Sequence, residues 1–116
     1  IMSIEKSIRP WGLYEKFYQE NGVWVKRVEV KPNCRLSLQK HKHRSEKWVF
    51  VHGQGLAIIE QQHISVEPGS VVDIPLGAVH RISNTHAQQV LVFIEVATGQ
   101  ILTEEDIIRI EDDYQR

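Results

Sequence analysis

Apolar residues fall in short alternating runs along most of this chain, the period-two pattern of strands half-buried in a sheet. GLYEKFYQ (12–19) and VWVKRVEV (23–30) flank ENG (20–22). Asn21-Gly22 suits a hairpin turn, because both residues tolerate positive φ. The second run alternates imperfectly, with Trp24, Val28 and Val30 able to share a face. RLSLQ (35–39) sets Leu36 and Leu38 against Arg35, Ser37 and Gln39. KWVFV (47–51) runs into the turn HGQG (52–55), and GLAIIE (55–60), HISVE (63–67), VVDI (71–74), HRIS (80–83) and QVLVFIEVA (89–97) continue the series. Many short strands divided by Gly, Pro and Asn predict an all-β sandwich or small barrel. TEEDIIRI (103–110) breaks the pattern. Thr103 reads as an N-cap, Asp106 completes a capping-box-like T-x-x-D, and the acidic first turn suits a helix dipole. One short C-terminal helix is predicted there, followed by the charged tail EDDYQR (111–116).

Composition narrows the class. The 116 residues fit a single domain over 1–116, large enough to bury its own core. A net charge of −1 with dispersed cations argues against a nucleic-acid or anionic-membrane partner. Cys34 is the only cysteine, so no internal disulfide forms, and a cytoplasmic location is expected. No apolar run approaches the ~20 residues of a membrane span, and IMSIEKSIRPW lacks the apolar stretch of a signal peptide.

The candidate chemistry is concentrated in QKHKHRSE (39–46). A surface His-x-His alone usually means only a solvated strand. A second stretch, GSVVDIPLGAVHRISN (69–84), changes the weighting. It reads G-x5-P-x-G-x2-H-x3-N, with Gly69, Pro75, Gly77, His80 and Asn84, and resembles the second motif of the cupin family. The first cupin motif, counted back from Gly53, puts Glu46, His41 and Gln39 at the ligand positions and Asn33 at the glycine position. The alternative register pairs His41 with His43, but shortens the gap to Glu46 and moves the glycine position onto Arg35. The first register keeps the spacings and is preferred. Residues 39 and 41 then project from one face of a strand, Glu46 returns after a turn, and His80 arrives from a distant strand. Two imidazoles, a carboxylate and an amide suit a divalent metal such as Zn, Co, Mn, Ni or Fe and make a poor Ca site. Such a set should leave one or two positions open.

The likeness extends further. RPWGLYE (9–15), VKRVEVKPN (25–33), LSLQKHKHRSEKWVFVHG (36–53), IPLGAVHRISN (74–84), FIEVATG (93–99) and EDIIRIEDDYQR (105–116) resemble the C-terminal domain of the type II mannose-6-phosphate isomerases, often fused to a mannose-1-phosphate guanylyltransferase. The resemblance covers Arg9 to Arg116. It implies a cupin jelly roll, here as a stand-alone isomerase domain, that interconverts mannose 6-phosphate and fructose 6-phosphate through an enediol. The chain departs from the pattern at Asn33 and Gln115, where glycine is usual, at Trp24, where lysine is common, and at Ala97, which replaces a glutamine.

The resemblance implies Gln39, His41, Glu46 and His80 as metal ligands and Arg44 as a catalytic arginine that stabilises the enediolate. His43 shares strand parity with His41 and is a candidate acid or base, or else a solvent-facing residue at the strand end. Glu95 lies among apolar neighbours on the face of Leu91 and Phe93, so it is an alternative base with a raised pKa, or the buried partner of an arginine. Lys26, Arg109 and Arg116 are candidates to bind the phosphate. Arg109 and Arg116 also read as ion-pair partners of Asp106, Glu111, Asp112 and Asp113. Arg81 is expected to point away from the ligand face into a surface salt bridge. Trp11 is expected to pack, and His52, His63 and His86 to be solvated. The partner class is a small sugar phosphate, and a homodimer through the N-terminal hairpin is expected. The competing reading is a non-catalytic metal- and sugar-phosphate- or nucleotide-sugar-binding module that partners a separate guanylyltransferase.

Overall fold

The computed structural model describes residues 2–116. Among the described residues, eleven strands run β1 (Glu5–Arg9), β2 (Gly12–Glu20), β3 (Val23–Val30), β4 (Leu38–Lys40), β5 (Arg44–His52), β6 (Gly55–Ile59), β7 (Gln62–Val66), β8 (Val71–Ile74), β9 (His80–Asn84), β10 (Leu91–Gly99) and β11 (Ile108–Glu111). They form two antiparallel sheets, ordered β1-β2-β3-β10-β5-β8 and β11-β4-β9-β6-β7. The inner faces of the two sheets enclose the core, the arrangement by which a jelly roll buries one side of every strand. Trp48, Phe50 and Phe93 meet at its centre, with ring centroids 4.9–6.3 Å apart.

The hairpin at Asn21-Gly22 forms as expected, with Gly22 taking the positive φ of 89°. Strand β3 alternates more strictly than its sequence suggests, because Lys26 takes an inward position between Trp24 and Val28. Asn33 (φ 59°) and Gln115 (φ 58°) both adopt the left-handed conformation. The two departures from glycine therefore keep the glycine backbone, which asparagine accepts more readily than glutamine does. At Gly53 (φ 86°) a Cβ would run into the Val90 carbonyl oxygen, so the turn between β5 and β6 requires glycine.

The short C-terminal helix is not formed. Residues 103–107 make a turn and a loop, and Ile108–Glu111 pairs with β4 as an edge strand. The Thr103–Asp106 turn does close, through an Asp106 N–H bond to the Thr103 carbonyl at 3.3 Å. The Asp106 carboxylate, however, accepts from the Lys42 and His43 amides at 2.9 and 3.0 Å instead of capping its own segment. A tertiary partner thus outcompetes local helix propensity. The result is a strap of chain laid across one end of the sandwich. Among the described residues, no helix is long and apolar enough to cross a membrane.

Candidate metal centre and active site

The strap closes over a cavity between the sheets whose wall carries most of the charged residues that the fold buries. His41 lies just beyond β4, Glu46 on β5 and His80 on β9, and all three are buried. Their donor atoms lie within 4.8 Å of one another. Each imidazole is fixed through Nδ1, which for His41 lies 2.7 Å from the Asp106 carbonyl and for His80 lies 2.9 Å from the Ala78 carbonyl. A carbonyl can only accept, so both Nδ1 atoms carry the proton and both Nε2 atoms present lone pairs. The His41 Nε2 lies 3.2 Å from Glu46 Oε2. Two lone pairs and a carboxylate converging in a buried space make a donor set that a divalent metal fits.

The electrostatics of the two groups agree with this. Burial pushes the His80 imidazole toward its neutral form, the form that ligates. Burial would raise the Glu46 carboxyl, but its neighbours His41, His80 and Arg44 favour the carboxylate and hold it far below the usual range. Glu46 Oε1 accepts from Trp48 Nε1 at 3.0 Å and Oε2 accepts from Arg44 Nε at 2.8 Å. The second motif supports the first directly, since the Gly77 amide donates to the His41 carbonyl at 3.1 Å. Asn84 donates to the Val30 and Gln89 carbonyls, locking the far end of β9.

Gln39 is buried beside this group, opposite His80 in the β4–β9 register, and lines the same cavity. Arg44 is buried and engaged on every side. Its Nε reaches Glu46, Nη1 donates to the Thr103 carbonyl at 3.1 Å, Nη2 lies 3.3 Å from His41 Nε2, and its Cζ lies 4.8 Å from the centroid of the Trp24 ring. His43 is exposed and does not line the cavity. Residues 42 and 43 are bent, so strand parity from His41 ends there and Arg44 turns inward in its place.

Glu95 is buried on β10 and accepts from Trp24 Nε1 at 2.9 Å. Burial, then the nearby Glu46 charge, push its carboxyl up to about 7 against the pull of Lys26 and Arg44. Lys26 is buried with its ammonium 2.8 Å from both Glu104 oxygens and about 4 Å above the Tyr14 and Trp24 rings. Arg109 and Arg116 reach the cavity from the C-terminal strand and tail, and Arg116 pairs with Asp112 at 2.9 Å. Arg81 forms the expected salt bridge, to Glu111 at 3.3 Å, but is itself buried and also donates to the Leu36 carbonyl.

Three groups escaped the sequence reading. Lys16 is buried, 3.5 Å from Glu104 and over the Trp24 ring. Glu104 reaches down from the strap to both lysines. Arg9 lines the cavity from the first strand. Inward lysines in a hairpin leave no periodic signal of their own, but the alternation of β3 would have exposed Lys26, and its partner β2 would have exposed Lys16.

A family model described as mannose-6-phosphate isomerase C-terminal matches residues 2–112. The xanthan biosynthesis protein XanB of Xanthomonas campestris is 40% identical over 111 residues, covering 96% of this chain and 24% of that protein. The mannose-1-phosphate guanylyltransferase ManC of Salmonella typhimurium is 40% identical over 108 residues, covering 93% of this chain and 22% of that protein. The chain thus spans about a quarter or less of the length of these relatives. Among solved structures, the capsular polysaccharide assembling protein CapF of Staphylococcus aureus superposes with a TM-score of 0.78 at 22% identity, over 92% of this chain and 34% of that one. At that identity the likeness speaks to the fold alone, the double-sheet cupin.

Proposed function

Because the chain belongs to the mannose-6-phosphate isomerase C-terminal family, we propose that it is a metal-dependent aldose–ketose isomerase that interconverts mannose 6-phosphate and fructose 6-phosphate. The observation that carries this reading is the pairing, in one cavity, of a buried metal-ligand group with a separate buried carboxylate, Glu95. Isomerisation moves a proton between C2 and C1. A base takes the C2 proton, the C1 oxygen gains a proton to give the enediol, and the O2 proton leaves as C1 is reprotonated. Gln39, His41, Glu46 and His80 would hold the divalent ion, Zn, Co, Mn, Ni or Fe, which supplies Lewis-acid polarisation of the substrate oxygens when bound.

In this proposal Glu95 is the base, since a carboxylate poised near neutrality both accepts and returns a proton. Arg44 faces the developing oxyanion, a role that suits a guanidinium better than proton transfer. His43 stands outside the cavity and is the weaker candidate. Lys26 is occupied by Glu104 and Arg116 by Asp112, leaving Arg109 as the freer phosphate partner. The β2–β3 hairpin lies inside its sheet, flanked by β1 and β10, so the homodimer is proposed instead at β1, a free sheet edge where Ile4 and Ile8 are exposed.

The test is an assay of fructose 6-phosphate formed from mannose 6-phosphate by protein reconstituted with each of the five metals. Absence of turnover with all of them sinks the isomerase. Saturable binding of the sugar phosphate without turnover supports the alternative, a binding module that partners a guanylyltransferase such as the one this chain resembles at 40% identity.

Two further results follow from the assignments. Gln39→Ala is expected to weaken metal binding about tenfold or more, while His43→Ala keeps metal and most activity. Metal content after dialysis decides, and the reverse outcome assigns the ligand pair to His41 and His43. Glu95→Gln is expected to lower kcat by about 10²–10⁴ with metal retained. In the metal-free protein Glu95 holds its proton to about 7, against an ordinary value of 4.5. The folded state therefore binds that proton more tightly, and this group costs stability as pH rises from the ordinary value toward the raised one. Thermal melts across that window should show a decline that the glutamine variant lacks.

A further inference from the structure

The strap, residues 100–107, is matched to the bend that separates His41 from Glu46. It leaves β10 at Gly99, which stands opposite Arg44 in the β10–β5 register. A Cβ at Gly99 would run into the His43 carbonyl oxygen, so the two backbones touch there. It enters β11 at Ile108, opposite Lys40 in the β11–β4 register. The strap therefore begins and ends against the two ends of residues 40–44.

Between those ends, four consecutive residues of the bend bond to it. The His41 ring donates from Nδ1 to the Asp106 carbonyl at 2.7 Å. The Lys42 and His43 amides donate to the two Asp106 carboxylate oxygens at 2.9 and 3.0 Å. Arg44 Nη1 donates to the Thr103 carbonyl at 3.1 Å, and the Asp106 amide donates to that same carbonyl at 3.3 Å. Asp106 thus commits its carboxylate, its carbonyl and its amide to one short stretch of chain. The carboxylate bonds are charge-assisted and are the strong part of the grip. The two carbonyls meet the two side chains that matter to the site. A bond at Nδ1 keeps the His41 proton on that nitrogen and turns Nε2 toward Glu46. A carbonyl at Nη1 helps to fix the plane of the Arg44 guanidinium, whose Nε meets Glu46.

We infer that Asp106 is a positioning residue for the whole site: by gripping the bend at residues 42 and 43, it holds one carbonyl on His41 and a second on Arg44. Asp106 does not line the cavity and acts only through these two neighbours. Because one grip serves both, loosening it lowers metal affinity and turnover together. What His41 and Arg44 do rests on the metal-dependent isomerase reading above; the grip on them does not.

The test compares Asp106→Asn and Asp106→Ala with Asp113→Ala, which removes the carboxylate that ties the C-terminal tail to Arg35. Three quantities are read on the full chain. Proton–nitrogen NMR of the metal-free protein reads how far the His41 Nδ1 proton is protected from solvent exchange. Titration against a competing chelator reads zinc affinity. Assays at saturating zinc read kcat and KM for mannose 6-phosphate. Asp106→Ala is expected to lose the protection and to bind zinc about ten- to a hundredfold more weakly. Its kcat should fall about tenfold or more with KM little changed, as misplacement of a reacting group predicts. Asp106→Asn keeps one acceptor oxygen and should fall between, and it decides if the alanine variant does not fold. Asp113→Ala should leave the proton and the zinc affinity as they are. No protected His41 proton in the unaltered chain, protection or zinc affinity unchanged in both Asp106 variants, or equal losses in Asp113→Ala, each overturns the inference. A chain that holds no zinc or turns nothing over, yet loses the protected proton in both Asp106 variants, keeps the grip and drops the isomerase. An active zinc protein indifferent to Asp106 does the reverse.

Discussion

Glu46→Gln is expected to strip the protein of bound divalent metal and, with it, of all turnover. Glu46 supplies the only carboxylate of the ligand group, and its Oε2 faces the His41 Nε2 at 3.2 Å. An amide there carries no charge to offset a dication. Its NH₂ group is also a donor, so in one orientation it would point hydrogens at the metal position. The same change leaves Arg44 buried without its counter-charge, since the 2.8 Å pair with Glu46 is the one ion pair that Arg44 makes among the described residues. Removing one partner of a buried pair costs about 3–5 kcal/mol. The variant should therefore melt well below the unaltered protein even without metal. Added metal, which stabilises a binding protein by about 2.7 kcal/mol at a hundredfold excess over its Kd, should leave the variant's melt where it is. Elemental analysis and a melt with and without zinc read both effects, and stoichiometric metal in the variant would remove Glu46 from the ligand set.

Arg44→Lys is expected to lower kcat by about 10²–10³ with metal content retained and KM little changed. The guanidinium makes three directed contacts at once, to Glu46, to the Thr103 carbonyl and beside His41, while stacking over Trp24. An ammonium is a point charge on a flexible stem and reproduces at most one of these at a time. It keeps the buried charge, so stability falls less than in Glu46→Gln. A drop confined to kcat marks an interaction made in the transition state, whereas a rise in KM alone would make Arg44 a binding residue. Less than a tenfold change in either would take Arg44 out of the chemistry.

These two residues, with His41 and His80, were legible in the sequence because their spacing is tied to turns that only certain residues make. Gly53 closes the hairpin after β5, and the Gly77 loop ties to the His41 carbonyl. The strand series was legible for the same reason: glycine, asparagine and proline punctuate a period of two.

What stayed hidden depended on contacts distant in sequence. Thr103 and Asp106 carry helix-start chemistry, yet Asp106 lies against the amides of Lys42 and His43, some sixty residues earlier. Lys16 gave no signal and Lys26 only that of a phosphate-binding cation, because lysine is rarely buried; here Glu104 and the aromatic faces of Tyr14 and Trp24 receive them. Trp24 and Ala97, two departures from the family pattern, are cross-strand partners in the β3–β10 register. A large indole opposite a small methyl fills one space, and no separate reading of the two positions would reveal it.

Proton transfer at C2 of a sugar phosphate is the step proposed for this chain, and solvent exchange measures it directly. Metal-loaded protein would be incubated with mannose 6-phosphate in deuterium oxide and followed by proton NMR. The expected result is fructose 6-phosphate with deuterium entering at C1 of the ketose and C2 of the remaining aldose, and loss of both signals in Glu95→Gln. Neither ketose nor exchanged aldose, from protein that holds its metal and binds the sugar phosphate, would contradict it.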